Sequence, residues 1–161
     1  MSEGRTVMTY PEYRADLQHI HESEVYGAAV FATAARLTRD PERRKKWLTL
    51  KALEDKTLSC YLAHMESTRQ PVTEPKGWAL KGHAEGAALA LMPWRVAMKL
   101  VGDATASFQE RFLRLEQHAE GEERAFFAYV YAHEKAIESF AHRELANDAD
   151  SLKAVEGLLA E

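Results

Sequence analysis

Glu54 lies in the middle of an apolar helical stripe, where a carboxylate is energetically costly. In the stretch from Trp47 to Met65, large apolar side chains recur at helical spacing, and Glu54 and Thr57 occupy the same face. A carboxylate buried on that face loses its hydration unless a cation, a metal ion or a bound proton compensates its charge. The spacing therefore predicts either a charge partner or a ligand site inside the fold.

Two further glutamates occupy equivalent places in other predicted helices. Glu24 and Glu134 each lie near the middle of a long amphipathic segment, on its apolar face. Because packed helices of similar length share a common middle level, we expect the three carboxylates to meet in one layer. Glu110, about one turn from the middle of the remaining long helix, is a fourth candidate. Such a layer requires a hard or borderline cation, or protonation with hydrogen bonds to hydroxyl groups.

Histidines near these glutamates are candidate nitrogen ligands. His133 directly precedes Glu134, His21 stands one turn before Glu24, and His142 continues the face of Glu134. These side chains are suited to a displaced site or to a site for a single metal ion. His133 also lies between apolar neighbours, which favours a hydrogen-bonded core histidine as its structural role.

Amphipathic segments of the chain must position these side chains. Gly27 and its small neighbours in the first helix allow another helix to approach closely, and Asp40 followed by Pro41 is typical of a helix start. The predicted helices cover residues 10–38, 41–68, 93–118 and 122–146, with a short C-terminal helix over about 151–160.

The connections between the helices predict how they are arranged. The short link at Asp40 makes the first two helices antiparallel neighbours. The connection of some twenty residues after the second helix, with a short helix at Ala84–Leu91, is long enough to run back along the bundle. We therefore expect the second and third long helices to be parallel, in an all-α four-helix bundle.

Composition limits the class of protein. The length of 161 residues suits a single domain over 1–161, with the bundle over about 10–146 and a loose tail over residues 1–9. The net charge is -4 and the only basic run is Arg43–Lys46, so we expect no nucleic-acid partner. The lone Cys60 and an N-terminus without an apolar signal core predict a cytoplasmic protein.

Two segments are candidates for contacts outside the bundle. Ala84–Gly102 is apolar but is interrupted by Glu85, Pro93, Arg95 and Lys99, so it does not predict a transmembrane span. A buried helix or a dimer surface is the favoured interpretation, and contact with a membrane surface is the alternative. The amphipathic C-terminal helix is expected to dock on the bundle or on a second subunit, and we expect a homodimer.

The predicted plan resembles that of the ferritin-like superfamily, including rubrerythrin-like proteins. The shared features are four helices, a long crossover between the second and the third, and glutamates that face inward. The resemblance is one of architecture over about 10–146. It implies a centre of two iron or manganese ions, held by one glutamate from each of two helices and a Glu-x-x-His pair from each of the other two. On that pattern Glu24 and Glu110 would be the single glutamates, and Glu54 and Glu134 would begin the pairs.

The sequence departs from this family pattern at both histidines. Thr57 and Ile137 occupy the two positions where the Glu-x-x-His pairs would have their histidines. The remaining candidate ligands are mostly carboxylates. The resemblance implies a non-haem di-metal oxidoreductase with an incomplete ligand set, acting as an oxidase, hydroxylase or peroxidase. The alternatives are a metal-free bundle that serves as a dimeric or partner-binding scaffold, and a peripheral membrane oxidase. The sequence specifies no small-molecule substrate.

Overall fold

The computed structural model describes residues 10–161, and the regular structure within this range is helical. The all-α prediction is therefore confirmed for these residues, while the tail predicted over residues 1–9 lies outside them. The helices are α1 (Tyr13–Leu37), α2 (Pro41–Ser67), α3 (Trp78–Leu91), α4 (Trp94–His118), α5 (Gly121–Leu145) and α6 (Lys153–Ala160).

The four long helices form two pairs of packed neighbours, α1 with α2 and α4 with α5. The first turn occurs at the predicted position. The Asp40 carboxylate accepts a hydrogen bond from the Arg43 backbone N–H at 2.9 Å, and Pro41 is the first residue of α2. This cap satisfies one of the free N–H groups that a helix start exposes, so α2 begins where the sequence places it.

The connection from α2 to α4 spans the length of the bundle. Gln70, just after α2, donates a hydrogen bond to the Tyr13 hydroxyl at the start of α1. At the opposite end, the ring of Trp94, the first residue of α4, packs on the ring of Trp47 near the start of α2, with centroids 5.2 Å apart. The starts of α2 and α4 therefore lie at the same end, and the two helices run parallel, as the length of the crossover predicts.

Most of this crossover is α3, which begins earlier than the predicted helix over Ala84–Leu91. Gly77 has a φ of 82° and turns the chain directly into the helix at Trp78. The Trp78 ring then packs edge-on against His19 of α1, with centroids 5.8 Å apart. The helix therefore begins before Ala84, because Gly77 tolerates the positive φ of the turn and the Trp78 ring anchors the first turn of the helix on α1.

Two glycines bring α3 into direct contact with the backbone of α1. A Cβ atom added at Gly82 would lie 2.5 Å from the carbonyl oxygen of Tyr26, and one added at Gly86 would lie 2.3 Å from that of Val30. Both distances are shorter than any non-bonded contact between a carbon atom and an oxygen atom allows. The close contact of these helices therefore depends on the absence of side chains at both positions.

Gly86→Ala is expected to lower the free energy of unfolding by about 1–3 kcal/mol, because the added methyl group forces α3 away from α1. The matched control is Gly157→Ala in α6, where an added Cβ meets open space. That control is expected to be neutral or to stabilise by about 0.5–1 kcal/mol through helix propensity. Denaturant unfolding measures both, and equal stability of the two variants would contradict the close contact.

A polar layer divides the hydrophobic core into two clusters. One cluster lies toward the end marked by Trp47 and Phe140, and the other lies toward the end marked by Tyr13 and Phe112. The helix segments between them carry buried polar side chains. The core is therefore apolar at both ends, and its middle level can hold a site. The buried polar residues at this level are Ser23, Glu24, Glu54, Thr57, Thr105, His133 and Glu134.

The C-terminal helix docks on α2 and α5 of its own chain. Val155 is fully buried in the core, and the Lys56 ammonium group of α2 donates a hydrogen bond to the carbonyl oxygen of Leu158 at 2.6 Å. This bond satisfies a backbone acceptor that the end of a helix leaves free. Of the two predicted places for this helix, the structure shows the one on the bundle.

The apolar stretch Ala84–Gly102 covers the second part of α3 and the beginning of α4, on either side of a turn at Met92 and Pro93. Leu91 at this turn is 84% exposed. Within residues 10–161, no helix is both long enough and apolar enough to cross a membrane.

Candidate metal site

Three buried side chains from three helices meet in the polar layer. Glu24 of α1, Glu54 of α2 and His133 of α5 each offer a ligand atom, and these atoms lie within 4.8 Å of one another. His133 Nε2 is 3.3 Å from Glu54 Oε2, and His133 Nδ1 is 3.7 Å from Glu24 Oε2. The structure thus brings together three of the candidate ligands that the sequence suggests.

Glu134 lies at the edge of this cluster. Its Oε1 atom is 3.9 Å from His133 Nε2, and the residue is buried. Consecutive residues of a helix are about 100° apart, so His133 and Glu134 can both lie on a broad buried face of α5. Glu134 is therefore close enough to interact with the cluster through its charge and to join it after a side-chain rotation.

Glu110 is exposed and takes no part in the cluster, which corrects its assignment as a ligand. The inward residue of α4 at this level is Thr105, which is buried and donates its hydroxyl hydrogen to the carbonyl oxygen of Gly102 at 2.7 Å. Glu110 follows five residues later, which rotates it by about 140° around the helix axis. The prediction placed Glu110 by its level along α4, and that level does not determine the side of the helix on which the residue lies.

Other suggested nitrogen ligands also lie apart from the cluster. The His21 ring is buried but packs on the ring of Tyr61, with centroids 5.1 Å apart, and His142 is exposed. Glu138 accepts hydrogen bonds from Gln109 and from the Lys135 ammonium group. Of the histidines that the sequence suggested as ligands, only His133 therefore reaches the cluster.

Thr57 fixes the orientation of the His133 ring. Its hydroxyl donates to the Tyr129 hydroxyl at 3.1 Å and lies 2.6 Å from His133 Nδ1. Because the single hydroxyl hydrogen of Thr57 is directed to Tyr129, Thr57 accepts from Nδ1–H, which leaves a lone pair on Nε2 of the neutral ring. Tyr129 was missed in the sequence, although it lies one turn before His133 on the same face of α5.

Gly27 makes room for the Glu54 carboxylate. A Cβ atom at this position would lie 2.3 Å from Glu54 Oε1 and 2.4 Å from Glu54 Cδ. The sequence predicts that the small residue admits a neighbouring helix. In the structure it admits the side chain of a glutamate, and the close helix contact of α1 is made by the glycines of α3.

Three polar atoms of the cluster are buried without a hydrogen-bond partner. They are Glu24 Oε2, Glu54 Oε2 and His133 Nε2. The contact between Glu54 and His133 is short, but it does not have hydrogen-bond geometry. Buried polar atoms in folded proteins almost always have a partner. Three unpaired acceptor or donor atoms at one point therefore indicate space for a ligand that all three can share.

Burial and mutual repulsion keep protons on this cluster when no metal is bound. Burial raises the pKa of Glu24 well above its ordinary range, and the nearby charge of Glu54 raises it further. Burial likewise raises the pKa of Glu134 to about 8, although the charge of His133 opposes the shift. For His133, burial favours the neutral ring, but the carboxylates of Glu54 and Glu134 outweigh it, so its pKa is raised.

The chemistry of these donors suits one divalent ion. Carboxylate oxygens with one imidazole nitrogen are typical ligands of manganese, iron and zinc. Ligand atoms about 2.1 Å from a single ion lie about 3–4 Å apart, which small rotations of these side chains would reach. A complete two-ion centre of the family pattern requires histidines where Thr57 and Ile137 stand, and a glutamate on α4; the described residues 10–161 bring neither to the site.

A cavity of about 310 Å³ adjoins the cluster. Glu54 and Glu134 line one part of it, together with Gly27 and Thr105, and the remaining walls are mostly apolar side chains of α1, α3 and α4. The carboxylates are therefore shielded from bulk water, yet a small molecule can reach them.

The chain matches no known family model, and comparison with curated proteins and with solved structures finds no match.

Proposed function

We propose that the protein is a ferritin-like bundle that binds one iron or manganese ion and acts as a non-haem oxidoreductase on a small molecule. The observation that carries this proposal is the cluster of unpaired atoms on Glu24, Glu54 and His133. Glu134 would complete the ligand set. The parallel arrangement of α2 and α4 across the crossover supports the ferritin-like part of the proposal.

The residues around the ion have separable roles. Glu24, Glu54 and His133 would hold it, and the Thr57 hydroxyl would keep His133 Nε2 directed toward it, as outer hydrogen bonds do at metal sites. Without an ion, Glu134 holds a proton at neutral pH, because its pKa is raised to about 8, and it would release that proton on joining the ligand set. When bound, the ion would supply one-electron redox chemistry with dioxygen or peroxide.

The direct test is elemental analysis of freshly purified protein, followed by anaerobic titration with ferrous and manganous ions. We expect about one ion per chain, release of protons on binding, and oxygen consumption when the ferrous protein is exposed to air. Two ions per chain would support the di-metal centre of the family pattern instead. The metal proposal would be abandoned if thermal stability did not change with either ion and no ion co-purified.

Gly27→Ala is expected to weaken metal binding by about 10-fold or more, because the added methyl group occupies the position of the Glu54 carboxylate. The matched control is Gly157→Ala, which adds the same group in open space and leaves binding unchanged. Titration calorimetry with manganous ion measures both. Equal affinity of the two variants would show that Glu54 binds no ion in this conformation.

A metal-free bundle that serves as a dimeric or partner-binding scaffold is the second candidate function. Its specific support is the contact of His133 Nε2 with Glu54 Oε2 at 3.3 Å, which can act as an internal ion pair. With the raised pKa values of Glu24 and Glu134, the layer could then be neutralised by protons alone. In that case replacing the ligands would change stability and leave metal content at background.

A further inference from the structure

The cavity beside the cluster of Glu24, Glu54 and His133 has apolar walls on several sides. Val30 and Phe31 of α1, Leu89 of α3, and Val101 of α4 line it, and Glu54 and Glu134 lie at the level of the polar layer. Small-molecule sites are typically concave and mostly apolar, with a few polar groups at one end. This cavity has the same distribution of groups.

The cavity opens between α3 and α4. Among its lining residues, Ala88 of α3, Met92 just after α3 and Leu100 of α4 are exposed, Met92 at 36% and Leu100 at 42%. The close contact of Gly82 and Gly86 with α1 fixes the opposite side of α3. Exposed apolar side chains therefore border the entrance, and the buried carboxylates of Glu54 and Glu134 line the inner part of the cavity.

The size of the cavity limits its ligand. A dry apolar cavity of about 150 Å³ holds benzene, which has six carbon atoms. A cavity of about 310 Å³ therefore has room for roughly twelve carbon atoms. The exposed Leu100 and the buried Glu54 both line the cavity, so a molecule that fills it extends from the surface to the polar layer.

The charges of the cavity select against anions. Its lining among the described residues includes Glu54, Glu85 and Glu134 and contains no lysine, arginine or histidine. In the metal-free protein, a ligand that carries a carboxylate would place its charge among these side chains without a cation to compensate it. A hydroxyl or carbonyl group, by contrast, can form hydrogen bonds with the carboxyl groups or with the Thr105 hydroxyl.

We infer that this cavity binds an uncharged, elongated apolar molecule of about ten to twelve carbon atoms, with its polar end toward Glu54 and Glu134. The inference rests on the proposed function only in taking this molecule as the substrate of the metal site. Binding itself requires the cavity and no bound ion.

Titration calorimetry with 1-hexanol, 1-octanol, 1-decanol and decanoate tests the inference on the full chain, with and without manganous ion. Each methylene group buried should increase affinity roughly fourfold up to the filled length. In the metal-free protein, decanoate should bind about tenfold or more weakly than decanol. Affinity that is independent of chain length, or equal binding of decanoate and decanol, would overturn the inference.

Substitutions on both walls locate the binding site. Ala104→Phe places a ring in the cavity and should weaken decanol binding about tenfold or more, whereas Ala106→Phe, at an exposed site on the same helix, should not. Ala88→Phe on the opposite wall, with Ala84→Phe as its control, provides an independent pair if the first variant fails to fold. Unchanged binding in folded Ala104→Phe or Ala88→Phe would overturn the inference.

The two proposals can fail separately. Decanol binding that follows this pattern in a protein that binds no metal would support the cavity as a ligand site and reject the oxidoreductase. Metal binding without decanol binding would reject the cavity inference and leave the metal site standing.

Discussion

Glu54→Gln is expected to reduce affinity for ferrous and manganous ions by more than about 100-fold. Loss of an outer hydrogen-bond partner of a metal ligand already weakens binding by about 10- to 100-fold, and this change removes the charge of a ligand itself. Glutamine has nearly the same shape, so α2 and its packing against α1 should be retained. Titration calorimetry measures the affinity, and circular dichroism checks the helical content.

The matched control for this variant is Glu110→Gln, which makes the same chemical change on exposed α4 surface. It is expected to bind metal like the parent protein. Thr57→Val is an intermediate case, because it removes the hydroxyl that orients His133 and leaves every ligand in place. Full metal occupancy in Glu54→Gln, or an equal loss in Glu110→Gln, would contradict the assignment of Glu54.

The metal-free protein is expected to lose stability as the pH rises from about 6.5 to 8. Burial raises the pKa of Glu134 from its ordinary value of 4.5 to about 8, and the pKa of Glu24 is raised in the same direction. Between the ordinary and the raised value, the folded state holds a proton that the unfolded state has lost. Each such group therefore lowers the free energy of unfolding by up to about 1.4 kcal/mol per pH unit.

The other shifted groups act in both directions. The raised pKa of His133 acts in the same direction, since its contribution to stability is lost as the pH rises through that pKa. A hydrogen bond from Lys135 lowers the pKa of Glu138, and the stability gained from that group is complete above its ordinary value. Burial lowers the pKa of His21 and of His64, so these groups raise stability with pH below their ordinary value of 6.5. The window from about pH 6.5 to 8 is therefore governed by the buried cluster.

Urea unfolding at pH 5, 6, 7 and 8, with chelator and with excess manganous ion, measures this effect. Glu134→Gln should flatten the slope of the chelated protein, and Glu110→Gln should not. Because metal binds the deprotonated ligands, its stabilising effect should increase with pH and offset the loss. A chelated protein whose stability is constant or rises from about pH 7 to 8 would contradict the buried, proton-holding cluster.

The two predictions describe a balance between stability and binding. Without metal, Glu24, Glu54 and Glu134 repel one another in a buried layer, and protons must neutralise part of their charge. A bound divalent ion would replace those protons and provide the partner that the unpaired atoms lack. Replacement of Glu134 by glutamine should therefore stabilise the chelated protein at pH 8 even if it weakens metal binding.

The sequence by itself determined the helical class and the inward faces of the long helices. Apolar residues at helical spacing and the Asp40–Pro41 cap are local signals, and both were found at the predicted places. The sequence also selected Glu24, Glu54, His133 and Glu134, because a polar group on an apolar face stands out without any knowledge of its partners. The crossover length was sufficient to predict that α2 and α4 are parallel.

Only the tertiary structure decided which groups meet. Glu110 lies near the correct height but on the wrong side of α4, because a few residues of uncertainty in a helix span more than half a turn. The room that Gly27 leaves for Glu54 and the cavity under α3 depend on distances between helices that no local pattern encodes. The physical reason is that spacing along one helix fixes the face of a residue, whereas a site requires the relative rotation of several helices, which side-chain packing sets.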